Sequence, residues 1–113
     1  MDEDLLKKEL HGKPFEEQVI RLATEKARTI GINNPDAFVI GSDNMCTIDD
    51  KIFDKPIDHE DAVSHLLSLS GKKHYQNNGI SIYHKGKEVW SNFDVTELEM
   101  KELSLQELSL IHI

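Results

Sequence analysis

The apolar run "FVIGSD", Phe38 to Asp43, ends in a carboxylate, and a Lys-Pro pair, Lys55-Pro56, follows a short polar stretch later. In open α/β sheets ligands gather outside the carboxyl ends of strands, so an aspartate there is a candidate for chemistry. Aspartate is also a common turn former, and position alone leaves both readings standing. Lys26 lies on the same helical stripe as Val19, where an apolar residue is expected. It is either a snorkelling side chain at the edge of a core or a functional ammonium. Lys55 alone reads as a turn residue, and Glu3, between Asp2 and Asp4, as part of a frayed acidic terminus. Taken together, two carboxylates (Glu3, Asp43) and two lysines (Lys26, Lys55) on different elements fit a magnesium-bound polyphosphate. Carboxylates suit a hard cation that keeps waters and bridges phosphate oxygens. Lysines act as point charges on the phosphates. An aspartate beside the metal can orient or deprotonate the attacking water.

Other chemistries find less support. The 6 histidines include no i, i+4 helical pair, and the single cysteine, Cys46, leaves no cluster for zinc. Cys46 has no histidine or basic partner in sequence and reads as a structural thiol. Gly41-Ser42-Asp43 lacks the glycine spacing of a phosphate loop.

The elements that must position these residues follow from periodicity and caps. "KPFEEQVIRLATEKARTIG" reads as a helix with Pro14 at its start and Gly31 as its stop. Val19, Leu22, Ala23, Ala27 and Ile30 form its core face. "AFVIGSD" suits a strand covered on both faces, and "MCTIDDKIF" a hairpin turning at Asp49-Asp50. "DHEDAVSHLLSLSG" is a second helix, with Asp58 as N-cap, Gly71 as stop, and Ala62, Leu66 and Leu69 buried. A hairpin around Lys85-Gly86 follows. "DVTELEMKEL" then alternates, with Thr96, Leu98 and Met100 on one face. The expected class is mixed α/β (α+β), a central mixed sheet with flanking helices.

At 113 residues with 38% hydrophobic composition, the chain is one globular domain at most. No apolar run reaches the roughly 20 residues of a membrane span, and the charged N-terminus has no signal-peptide pattern. A cytoplasmic location follows. The formal net charge of -8 argues against broad nucleic-acid binding.

Ordered stretches carry a resemblance. "DED", "RLATEKA", "VIGSDN", "DKPIDHEDA", "LSLSGKKH" and "EVWSNFDVTELEMKELS" stand in the order of the Maf family of nucleoside-triphosphate pyrophosphatases, within the inosine-triphosphatase-like superfamily. The resemblance implies hydrolysis of a nucleoside triphosphate to its monophosphate and pyrophosphate with Mg²⁺ or Mn²⁺, clearing modified nucleotides from the pool. It assigns Asp43 as catalytic and metal-associated, Glu3 as an acidic residue of the same metal site, and Lys26 and Lys55 as phosphate-binding. Asn44 falls at a position tied to base choice. Family members preferring thymidine or uridine triphosphate carry Thr there, and those preferring 7-methylguanosine triphosphate carry Gln. The Asn amide and the "GSD" context lean toward the second group, with the first as the alternative. Asn78 departs from the small hydroxyl residue common at its position. Homodimers are common in the family.

Family chains are longer at both ends, so the resemblance makes residues 1–107 a partial domain, expected to be inactive alone. A non-catalytic module linked to septum formation and an inactive gene fragment are the competing readings. Ser104 and Glu107 form a capping box that should open a helix. Residues 108–113, "LSLIHI", are also the translation of a transposon end used in sequencing libraries, and are expected to be an adapter-derived tail.

Overall fold

The computed structural model describes residues 2–49, 51–53 and 57–108. Its elements are α1 (Glu3–Leu10), α2 (Phe15–Gly31), β1 (Val39–Ile48), β2 (Lys51–Phe53), α3 (His59–Leu69), β3 (Lys73–His84), β4 (Lys87–Glu99) and α4 (Leu105–Leu108). Hydrogen bonding orders the strands β2-β1-β3-β4 in one sheet. The mixed helix-and-strand class is as expected, and the sheet is antiparallel. Lys55, Pro56, Asp50 and residues 109–113 of the expected tail lie outside the described residues. Among the described residues, no helix is long and apolar enough to cross a membrane.

Two compact units divide the chain. The first comprises Met1–Met45 and Asn77–Val95. Helix α1 was not expected. Asp2 caps it by accepting from the Leu5 amide at 3.1 Å, Glu3 and Asp4 complement its N-terminal dipole, and Lys7 and Lys8 its C-terminal end. Leu6 and Leu10, one turn apart, bury against Leu22 of α2. That burial turns an acidic terminus into an ordered helix.

Helix α2 starts behind Pro14 and ends at Gly31, as the sequence predicts. Val19, Leu22, Ala23 and Ala27 are buried. Ile30 is not: it is 56% exposed, while its neighbour Gly31 is buried against the Tyr83 ring of β3. Small residues let the helix lie close to the strands. A Cβ on Gly41 of β1 would stand 2.1 Å from the Ala23 carbonyl oxygen, and one on Gly79 of β3 2.7 Å from the Val19 backbone. Thr24 Oγ1 donates to Ser81 Oγ at 2.9 Å across the same contact.

β1 was expected to be covered on both faces, and it is covered on one. Gly41 and Met45 are buried, whereas Phe38 and Ile40 are 67% and 69% exposed. Period-two alternation puts the two sets on opposite faces, and α2 packs on the first alone within this unit. Phe38 stacks on the ring of His84, which contacts the Ala37 carbonyl at 3.0 Å.

The second unit comprises Cys46–Gln76 and Thr96–Ile113. Here β1 and β2 form the expected hairpin, with Cys46 opposite Phe53 and Ile48 opposite Lys51. Asp49 takes the positive φ of 50° that the turn demands. Asp58 caps α3 by accepting from Asp61, and Gly71 follows with φ 67°. Ala62 and Leu69 are buried, and Leu66 half-buried. Phe53 meets His65 of α3 edge-on. The Thr96-Leu98 alternation does not bury a face: both residues are exposed, in a strand at the end of the sheet order. The capping box forms, with the Glu107 amide donating to Ser104 Oγ at 3.2 Å and the Ser104 amide to Glu107 Oε1 at 3.4 Å.

Candidate active site

Asp43 does not end its strand. β1 runs on to Ile48, because Met45, Thr47 and Ile48 find buried positions and β2 pairs back along them. The carboxylate therefore projects from mid-strand, on the face that Gly41 and Met45 turn inward. Its side chain is only 11% exposed.

The Lys26 ammonium meets it there. Lys26 Nζ donates to Asp43 Oδ1 at 2.8 Å and lies 3.3 Å from Glu3 Oε1. The unexpected lysine on the apolar stripe is thus a residue at the edge of the core, with its stem covered and its charge delivered to two carboxylates. Partial burial alone would lower its pKa. The Asp43 hydrogen bond and charge, with Glu3 adding to both, outweigh that and raise it above the ordinary lysine value. Three of the four expected polyphosphate residues, Glu3, Lys26 and Asp43, therefore converge from α1, α2 and β1. Lys55, the fourth, lies outside the described residues.

Three features bear on a divalent cation. Two carboxylates share one cation, and their oxygens are the donors a hard ion takes. Glu3 and Lys26 are partly exposed, which leaves a side for water or phosphate. The cluster carries more negative than positive charge, so an anionic polyphosphate needs further positive charge beside it. Among the described residues no group of three or more His, Cys, Asp or Glu gathers as a metal cage. A set of one or two carboxylates is what an ion bridged to phosphates uses, so the residues fit.

Asn44 follows Asp43 and points to the opposite face. Its side-chain Nδ2 donates to Asn78 Oδ1, and the neighbouring Asn77 Nδ2 donates to the Met45 backbone carbonyl at 3.0 Å. The sequence flagged Asn78 only as a departure from a hydroxyl residue. Its antiparallel register with Asn44 is a long-range fact with no local signal. Cys46 is a half-buried free thiol whose pKa burial pushes up, against a smaller opposing hydrogen bond from Gln76.

The profile of the Maf-like protein family matches residues 1–111, and the chain belongs to the Maf family. A nucleoside triphosphate pyrophosphatase of Nitrobacter winogradskyi is 36% identical over 88 residues, 78% of this chain and 44% of the relative. One from Legionella pneumophila strain Paris is 33% identical over 103 residues, 91% of this chain and 52% of the relative. A 7-methyl-GTP pyrophosphatase of Rhizobium johnstonii is 38% identical over 85 residues, 75% of this chain and 43% of the relative. The chain thus spans about half the length of the curated relatives it matches.

Proposed function

We propose that the protein hydrolyses a nucleoside triphosphate to its monophosphate and pyrophosphate, in the cytoplasm, with Mg²⁺ or Mn²⁺. The observation that carries this reading is the Lys26 ammonium held between Asp43 and Glu3. A structural ion pair needs one carboxylate, whereas a polyphosphate site needs carboxylates for a cation and an ammonium for phosphate oxygen. The names of the relatives support the same reaction class.

In this reading a water is activated at Asp43, and its proton passes to the carboxylate as the bond between the α- and β-phosphates breaks. As Asp43 takes the proton its hold on Lys26 weakens, and the ammonium turns to the charge growing on phosphate oxygen. Lys55 supplies a second positive charge to the phosphates. Glu3 and Asp43 would hold the divalent ion, which when bound neutralises phosphate charge and lowers the pKa of water.

For the base, 7-methylguanosine triphosphate is favoured over thymidine and uridine triphosphates. Support comes from the Asn44 amide and from the relative named as a 7-methyl-GTP pyrophosphatase. The test is pyrophosphate release from those three triphosphates by the uninterrupted protein, with Asp43→Asn beside it. Metal-dependent release lost in the variant is the expected result. A folded full-length protein that releases none would overturn the reading in favour of a binding module.

A further inference from the structure

The second unit carries a pocket that the proposed catalysis does not use. Ile48, Asp49, Lys72, Lys73 and Tyr75 line a space of about 460 Å³, and all five belong to Cys46–Gln76. Its walls come from the end of β1 and the start of β3, which are neighbours in the sheet. None of these residues belongs to the Glu3-Lys26-Asp43 cluster.

Backbone geometry fixes both walls. β1 ends at the buried Ile48, and Asp49, at φ 50°, turns the chain back toward β2. On the other wall the chain leaves α3 through Gly71, at φ 67°. The Lys72 amide then donates to the Leu69 carbonyl at 3.0 Å, and the Lys72 carbonyl accepts from the Met100 amide at 3.0 Å. Lys72 is held on both sides just before β3 begins at Lys73. Lys73 and Tyr75, two apart on that strand, share one face.

The chain as a whole has 21 acidic residues against 13 basic ones, and this pocket reverses the balance. Two lysines line it with one carboxylate, Asp49. Among the described residues Lys72 forms no ion pair. Lys73 Nζ lies 3.9 Å from Glu97 Oε1, an oxygen that also accepts from the Tyr75 hydroxyl at 3.3 Å. Both partners of that ion pair are exposed, so water screens it and an incoming anion can draw the lysine away.

The mixture of walls selects the ligand. Two ammonium groups act as point charges on phosphate oxygens. A bare phosphate ion would leave much of the space unfilled, since the volume falls within the roughly 300–1,000 Å³ of small-molecule sites. The Tyr75 ring and Ile48 offer apolar contact. Asp49 repels a second anionic group, which disfavours a polyphosphate, and accepts from a hydroxyl. Together these describe one phosphate joined to a hydroxyl-bearing carbon skeleton.

We propose that this pocket binds a phosphate monoester of the sugar-phosphate class, with its phosphate on Lys72 and Lys73 and a sugar hydroxyl donating to Asp49. The site stands apart from the proposed catalysis and is tested without it. The measurement is amide NMR of the 113-residue chain titrated with ribose 5-phosphate, inorganic phosphate and ribose in turn. Ribose 5-phosphate is expected to shift the amides of Asp49, Lys72, Lys73 and Tyr75, and to bind more tightly than either fragment. Lys72→Gln with Lys73→Gln should weaken it about tenfold or more. Lys8→Gln with Lys87→Gln removes the same charge elsewhere and should leave binding unchanged. All four lysines are exposed, so circular dichroism is expected to stay the same in both variants. Asp49→Asn suits the positive φ. It should strengthen binding of inorganic phosphate and reduce the preference for the sugar phosphate. No binding, equal affinity for inorganic phosphate and ribose 5-phosphate, equal weakening by the two lysine pairs, or an unchanged preference in Asp49→Asn would each overturn the proposal.

Discussion

Lys26 Nζ sits 2.8 Å from Asp43 Oδ1, joining the middle of α2 to the middle of β1. The pair is unequal in exposure: the carboxylate is 11% exposed and the lysine 35%. The buried partner depends on the exposed one for its charge to be tolerated. Glu3 approaches the ammonium from the open side. Removing Lys26 therefore strands a carboxylate, whereas removing Glu3 leaves the central pair intact.

The raised pKa of Lys26 has a pH consequence. A basic group whose pKa is higher folded than unfolded stabilises fully below its unfolded value, and the gain is lost as pH rises through the folded value. Compared by urea unfolding, the stability gap between the unmodified chain and Asp43→Asn should stay level from neutral pH to near the ordinary value of 10.5 and shrink above it. Its size should be about 0.2–1 kcal/mol, because Lys26 remains partly exposed and water screens the pair. A gap that grows with alkalinity would contradict this origin.

Gly41 sets how near β1 can come to α2. Gly41→Ala places a methyl 2.1 Å from the Ala23 carbonyl oxygen and 2.9 Å from the Ala27 amide nitrogen, both backbone atoms that cannot swing aside. The helix must move, at a cost of about 1–3 kcal/mol for overpacking, and Lys26 moves with it. Denaturant unfolding should show the loss, and pyrophosphate release by the full-length variant should fall with it. Gly12→Ala isolates the backbone cost, since nothing lies within 4 Å of its added Cβ and its loss comes from the φ of 84° alone.

Much of this was legible in the sequence, for physical reasons. α2 showed because Pro14, Gly31 and the Val19-Leu22-Ala23-Ala27 spacing agree, and Lys26 stood out because it broke that spacing. The hairpin turns at Lys85-Gly86 and at Asp49 were legible from composition, and Lys85, Gly86 and Asp49 each take a positive φ, 49°, 81° and 50°. α1 was missed although Asp2, Leu6 and Leu10 carried its signal: eight residues are marginal alone and need Leu22 to hold them. Asp43 was placed at a strand end because polar residues interrupt the apolar run. The strand continues because alternate residues, Met45 and Thr47, are buried. Neither the one-sided cover of Ile40 nor the meeting of Asn44 with Asn78 has a local signature, since both depend on what packs from far along the chain.

Lys85 holds φ 49° as a non-glycine residue, which side chains other than Asn and Asp adopt at a cost. Lys85→Asn should relieve it, since Asn-Gly is the preferred pair for a type I′ turn. A gain of roughly 0.5–1 kcal/mol is expected in thermal or urea unfolding, of the size seen when backbone preference is matched. The exposed position makes any loss of side-chain packing small. Unchanged or reduced stability would mean that the turn is not the strained point of the hairpin.

Among the three clustered residues, the order of activity loss separates a site from a structural ion pair. In the full-length protein Asp43→Asn removes the group proposed to take the proton from water, and pyrophosphate release should fall about 10²–10⁴-fold. Lys26→Gln removes the ammonium, with a loss of about 10²-fold or more expected in kcat. Lys26→Arg keeps the charge but replaces a compact point donor with a planar fork, so partial rescue is expected and not full activity. Glu3→Gln should leave kcat less affected and raise the Mg²⁺ concentration needed for half-maximal rate, because Glu3 is the outer carboxylate and Asp43 the inner one. A structural pair would behave differently: all four variants would lose activity in proportion to lost stability, and metal titration would be unchanged. Measuring unfolding and metal-dependent kinetics on the same preparations decides between them.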